Sequence, residues 1–339
     1  MLHHCPPLTV ARRALGRALL LTIALVLSAA LVGCATEQRS ANPTPYLPEP
    51  VQTEAEDLPS YEELAQRYNA NVEKLDRLRA STVVAMRWTD EEGERHYEQG
   101  EGLFVFMQPE RVTLTVGKLG DAKLWAGANA ERYWMFDLRD SGTAYVGAHE
   151  NVGKPCVEQL PLPVNPRAVP YLLGLLPLDE SLADMAPPVE ELRGHYLIEP
   201  PGVNVRMLLH PETALPVRVD LTDEQGRSAI VALLEDYGTV EQEGVGTDAS
   251  ARIPQRAAFH ALDNDAELTL HLSDATDGRR FDTIKDEMFD FDAILADQEP
   301  AEVVNLDEPC DEDGQTPNGG DEAEATEDAG DDAAGEDDA

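Results

Sequence analysis

Positive charge is what this chain has least of. Its 339 residues carry 26 Lys and Arg against 65 Asp and Glu, a formal net charge of -39. A surface of that sign repels a polyphosphate backbone, which excludes nucleic acid as a partner. After Lys285 there is no Lys or Arg, and from Asp307 onward the chain is Asp, Glu, Gly, Ala and little else. Such a segment buries too little apolar surface to offset its ordering entropy, so residues 298–339 read as a disordered, solvating acidic tail. Asp311, Asp313 and Gly314 hint at a calcium loop, but Pro309 stands where the first ligand belongs and no Glu follows at the right distance. Catalytic signatures are missing as well. There is no nucleophile elbow and no phosphate-binding Gly loop, and His149-Glu150 lacks the second His of a zinc-protease helix. His195, His210, His260 and His271 stand singly. The reading is a non-enzyme with no catalytic residue, no metal site and no cofactor.

Cysteine is scarce too, at four residues: Cys5, Cys34, Cys156 and Cys310. Arg12, Arg13 and Arg17 precede the apolar run Ala18 to Val32, which is short for a spanning helix of about 20 residues. Leu31-Val32-Gly33-Cys34 closes that run and resembles the lipobox of bacterial lipoproteins. The resemblance implies that residues 1–33 are a signal peptide removed in the mature protein. It also implies that Cys34 is the lipidation site, carrying diacylglycerol on its thiol and a further acyl chain, such as palmitate, on its amine. Two or more acyl signals make a stable membrane anchor. Ala35, in place of an Asp that would favour inner-membrane retention, leans toward the outer membrane, with the body in the periplasm. Cys5 falls in the removed segment, which leaves Cys156 and Cys310 as an even pair in an oxidising compartment. Spacing leaves open a disulfide between them or two unpaired thiols.

Residues 34–57 read as an extended tether with Pro43, Pro45, Pro48 and Pro50. Residues 58–297 are long enough for one domain with a sizeable core. Ser60 and Glu63 have the spacing of a capping box, and Leu64, Tyr68, Val72, Leu75 and Leu78 recur at helical spacing, predicting a helix. Alternating segments follow: Thr82 to Trp88, Val112 to Val116, Tyr133 to Phe136 and Tyr145-Val146, with Leu103 to Met107 apolar on both faces. A proline-rich break from Pro155 to Pro188 holds a short apolar helix, capped by Asn165, with Val169, Leu172, Leu173 and Leu176 on one face. That helix reads either as a lid or as a core-packed crossover. Strands resume at Tyr196, at Val203 to Leu209, at Val217 to Leu221, at Ile230 to Leu234 and at Leu268 to Leu272. The second series alternates well enough to leave one face for water and one that needs a cover.

This order resembles the LolA/LolB-like lipoprotein-carrier superfamily, in Asn71-Val72-Glu73-Lys74-Leu75-Asp76-Arg77-Leu78-Arg79-Ala80, in Gly102-Leu103-Phe104-Val105-Phe106 and in Leu215-Pro216-Val217-Arg218-Val219. The resemblance implies an α+β, mostly β fold: a curved antiparallel sheet, an incomplete β-barrel, covered by an N-terminal helix and a mid-chain helical segment around an apolar cavity. It implies a membrane-anchored acceptor or carrier for the acyl chains of lipids or lipoproteins, working with a periplasmic protein partner. The alternative is a non-catalytic scaffold in envelope assembly. Candidates to line or cover the cavity are Val84, Met86, Trp88, Phe104, Phe106, Leu114, Trp125, Trp134, Val169, Leu172, Leu173, Leu176 and Met207.

Overall fold

The computed structural model describes residues 46–51, 58–90, 93–118, 121–139, 142–151, 162–263 and 265–307. Cys34, Cys156, Cys310, most of the tether and the acidic stretch from 308 lie outside the described residues. The chain divides into two units, Met1–Leu47 and Pro48–Ala339. The account below concerns the second.

Its first helix, α1 (Tyr61–Val72), starts where Ser60 accepts a hydrogen bond from the Glu63 amide at 3.1 Å. The helix stops at Val72, short of the predicted stripe. Leu75 belongs to the turn that follows, and Leu78 already lies on the first strand. All three side chains still enter one core, because the chain reverses over the same apolar face.

Among the described residues, fourteen strands form a single sheet. The first series is β1 (Arg77–Thr89), β2 (Arg95–Met107), β3 (Arg111–Lys118), β4 (Asp121–Ala128), β5 (Arg132–Asp137) and β6 (Thr143–Ala148), an antiparallel meander. The second is β7 (Glu190–Leu192), β8 (His195–Ile198), β9 (Val205–Leu209), β10 (Pro216–Thr222), β11 (Ser228–Thr239), β12 (Arg252–Ala261) and β13 (Glu267–Thr276), also antiparallel throughout. β1 and β13 pair antiparallel and join the two meanders, and β14 (Glu302–Asn305) adds a parallel strand beside β6. The free edges are therefore β14 and β7, and the curved sheet stays unclosed. This is the mostly β architecture that the sequence predicts. Three strands carried no sequence signal strong enough to name, β7, β12 and β14. β14 also extends the folded body beyond Asp297, into residues expected to belong to the tail.

Alternation sorts the side chains by face. Inward residues such as Ala80, Val84, Phe104, Met207, Val219, Ala232, Phe259 and Leu270 share one core with Leu64, Tyr68 and Val72 of α1. The crossover between the meanders contributes α2 (Val169–Leu172), which is preceded by a 3-10 turn that Asn165 caps through the Arg167 amide at 2.9 Å. α1 and the crossover are tied by polar bonds where their backbones would otherwise be orphaned. Tyr68 donates to the Leu176 carbonyl at 2.9 Å, and the Asn69 amide both donates to Leu178 and accepts from it, at 2.9 and 2.8 Å. Burial holds the Tyr68 hydroxyl far above the ordinary tyrosine range, so it stays a proton donor.

The outer face of the first meander is clad as well. α3 (Phe291–Gln298), capped by Asp290, packs Phe291 and Ile294 against Trp134, Phe136 and Ala144. The preceding segment packs Ile284 and Phe289 against Val105.

Candidate functional site

The inward face of β2 explains where space is left. Same-face positions run Phe106, Phe104, Gly102, Gly100, Glu98: two large rings, then two positions with no side chain, then a carboxylate. A Cβ on Gly100 would come within 2.6 Å of a Val116 methyl. Across from it stand Val84 and Met86 of β1, Val112, Leu114 and Val116 of β3, and Leu124 and Ala126 of β4. The result is a cavity of about 470 Å³, within the size range of ligand pockets. Leu162, Val164, Pro166 and Val169 of the crossover roof it, and Leu268 of β13 closes one side.

Its rim is polar: Glu98, Gln99, Lys118, Lys123 and Arg139. Arg139 is held firmly, donating to Asp137 at 2.6 and 2.8 Å and to Glu98 at 3.0 Å. Burial pushes the Asp137 carboxyl up, but its bonds from Arg139 outweigh that and hold it below the usual carboxylate range. Lys118 and Lys123 are exposed, and among the described residues neither has an anionic partner. A β-bulge between Val116 and Gly117 sets the register of this hairpin, so that both lysines reach the rim.

The predicted lining residues divide. Val84, Met86, Phe104, Leu114 and Val169 line the cavity. Phe106, Leu172, Leu173, Leu176 and Met207 are buried in the shared core and do not line it. The crossover helix is thus core-packed at Leu172 and Leu173, and only its start, at Val169, covers the hollow. Trp88 is stacked on His96 at 5.0 Å, beyond the cavity on β1. Trp125 and Trp134 correct the expectation outright. Trp125 sits one position out of phase with Leu124 and Ala126, and Trp134 with the inward Tyr133 and Met135, so both point to the outer face, where Trp134 meets Phe291 and Trp125 packs against the same cluster. Trp134 lies over Gly127, where a Cβ would meet the indole at 2.7 Å. Sequence reasoning missed Gly100, Ala126, the crossover residues Leu162 and Val164, and the two rim lysines. Small residues on an otherwise large-residue face are the signal that marks the first two.

A second hollow, along 99–103, 115–118 and 121–122, is lined largely by glycine and charged residues and offers no apolar wall of comparable extent. Among the described residues no group of three or more His, Cys, Asp or Glu side chains is placed to hold a metal ion.

No protein-family model matches the chain, and no curated protein does. Solved structures similar to it include a LolA-superfamily protein from Nitrosomonas europaea, 11% identical over 69% of this chain and 99% of that one, with a TM-score of 0.44. A DUF1329-family protein from Desulfovibrio piger is 12% identical over 68% of this chain and 96% of its own, with a TM-score of 0.40. An outer membrane lipoprotein-sorting protein domain from Vibrio parahaemolyticus is 11% identical over 69% and 97%, with a TM-score of 0.39.

Proposed function

We propose that this protein is a lipid-anchored envelope lipoprotein whose body receives the acyl chain of a lipid or lipoprotein, as a membrane-anchored acceptor or carrier. The observation that carries the reading is the cavity of about 470 Å³ beneath the crossover, walled by Val84, Phe104, Leu114, Val116 and Val169. Apolar walls suit a ligand whose chain is held by burial and released unchanged. Cys34, at the end of its Pro-rich tether, would hold this body at the outer membrane on the periplasmic side.

The test is recovery of the full chain from membranes, followed by mass spectrometry for retained lipid and titration with a fluorescent acyl probe. Retained lipid that is lost in an Ala126→Phe variant supports the proposal. No retained lipid together with no probe response overturns it. For the anchor, metabolic palmitate labelling should disappear in Cys34→Ser, and persistent labelling would sink that part.

A further inference from the structure

The rim of the cavity has a charge that the rest of the chain does not. The sequence holds five lysines, Lys74, Lys118, Lys123, Lys154 and Lys285, against a net charge of -39. Two of those five stand at one cavity mouth. Resting on the acyl-binding proposal above, we infer that the ligand is a single-chain anionic amphiphile, with its carboxylate or phosphate head held by Lys118 and Lys123 while its chain lies in the cavity.

Three observations carry this. The first is the balance at the rim. Arg139 is already engaged by both Asp137 and Glu98, so its charge is matched inside the protein. Among the described residues neither lysine makes an ion pair, although Lys118 also borders the second hollow, where its register partner Asp121 stands. The second is geometry. Both lysines lie on the β3–β4 hairpin next to Val116 and Leu124, which are cavity wall. A head at the rim and a chain within are therefore reached by one linear molecule. The third is the field. The protein's overall charge repels anions, so an anion gains only where local cations outweigh that field over a short range, which screening by salt permits. Lysine suits such a mouth: its long stem covers apolar wall while its ammonium stays in water. A neutral or cationic amphiphile would leave both ammonium groups without a partner and add nothing to burial.

The experiment uses the full chain held in nanodiscs of zwitterionic lipid and four photo-reactive dodecyl probes that differ only in the head: carboxylate, phosphate monoester, hydroxyl and trimethylammonium. Cross-links are mapped to peptides by mass spectrometry. The expected result is cavity-wall labelling by an anionic probe about tenfold above the hydroxyl probe, about the size of one charge-assisted hydrogen bond. That preference should fall with added salt and vanish in Lys118→Gln/Lys123→Gln, whose labelling by the hydroxyl probe stays at the parental level. A carboxylate preference points to a fatty acid, and a phosphate preference to a phospholipid-derived head. Equal labelling by all four heads, preference for the cation, or an anion preference that survives the double substitution overturns the inference and leaves the acyl-binding proposal standing. No cavity-wall labelling by any probe overturns that proposal and this inference with it.

Discussion

The two meanders are built from the same kind of strand and end up different inside. Under the second, the concave side is filled: Tyr196, Met207, Leu209, Val219 and Phe259 belong to one buried core with α1 and α2. α1 leans to that side, where Arg67 donates to the Pro211 and Glu212 carbonyls and Asn71 pairs with the Arg252 backbone. Under the first, a hollow remains that the crossover roofs and Leu268 closes on one side. Their outer faces differ in the opposite sense. The first is clad by apolar clusters around Phe291 and Phe289. The second carries a buried ion pair, Arg218 with Asp220 at 2.6 Å, to which Ser228 adds a bond of 2.6 Å. The contrast teaches how a sheet keeps an empty space. A wall lacking support on its inner side is held from outside, and a wall packed inside needs no apolar cladding.

Core deletions should separate the halves most. Phe259→Ala, in the filled half, is expected to lose about 3–5 kcal/mol by urea unfolding. Leu114→Ala, beside the hollow, should lose only about 1 kcal/mol, because one side of that leucine has few packed contacts to lose. Equal losses would break the comparison. Asp220→Asn should cost about 3 kcal/mol by leaving the Arg218 guanidinium buried without its counter-charge; a change within experimental error would mean that water reaches the pair. Insertions should sharpen the contrast. Ala232→Phe is expected to cost about 1–3 kcal/mol by overpacking, whereas Ala126→Phe should leave stability nearly unchanged while acyl-probe binding falls. A large loss of stability in Ala126→Phe would show that the hollow collapses in solution.

The smallest effect concerns His195, which is buried in the second meander and meets His210 edge-on at 5.9 Å. Burial, aided by the His210 charge and opposed by a bond to the Arg193 carbonyl, holds its imidazole below the ordinary histidine range. The unfolded chain therefore takes up a proton that the native site resists. Stability contributed by the neutral ring is complete above about pH 6.5 and is lost as pH falls below it. His195→Gln should flatten the part of the stability curve between about pH 7 and pH 5. An unchanged slope would assign the acid sensitivity to other groups, with His149 and His260, both also held low by burial, the next to replace.

Much of the fold was legible because alternation in a half-buried strand repeats every two residues and leaves a plain trace. Val112 to Val116, Ile230 to Leu234 and Leu268 to Leu272 fall on the strands expected of them. The start of α1 was legible because Ser60 is a local device. Its end was not, since Leu75 and Leu78 keep the helical spacing although the chain has turned. β14 was hidden because a four-residue parallel edge strand draws its stability from β6 and not from its own pattern. The site was legible in part. Val84, Met86, Phe104, Leu114 and Val169 share a face and a wall, but size and hydrophobicity drew attention to Trp125 and Trp134, which serve the outer cladding.

By itself, the sequence determined most of the strands, the apolar face of the second series, the cap of the first helix and the capped crossover helix, because all of these are set within a few residues along the chain. Only the tertiary structure decided that β1 and β13 join the meanders, that the C-terminal segment clads one of them from outside, and that a hollow remains beneath the crossover. Filling is a property of several strands at once. Whether a gap survives depends on which side chains arrive opposite one another and on what roofs them, and no single segment encodes that sum.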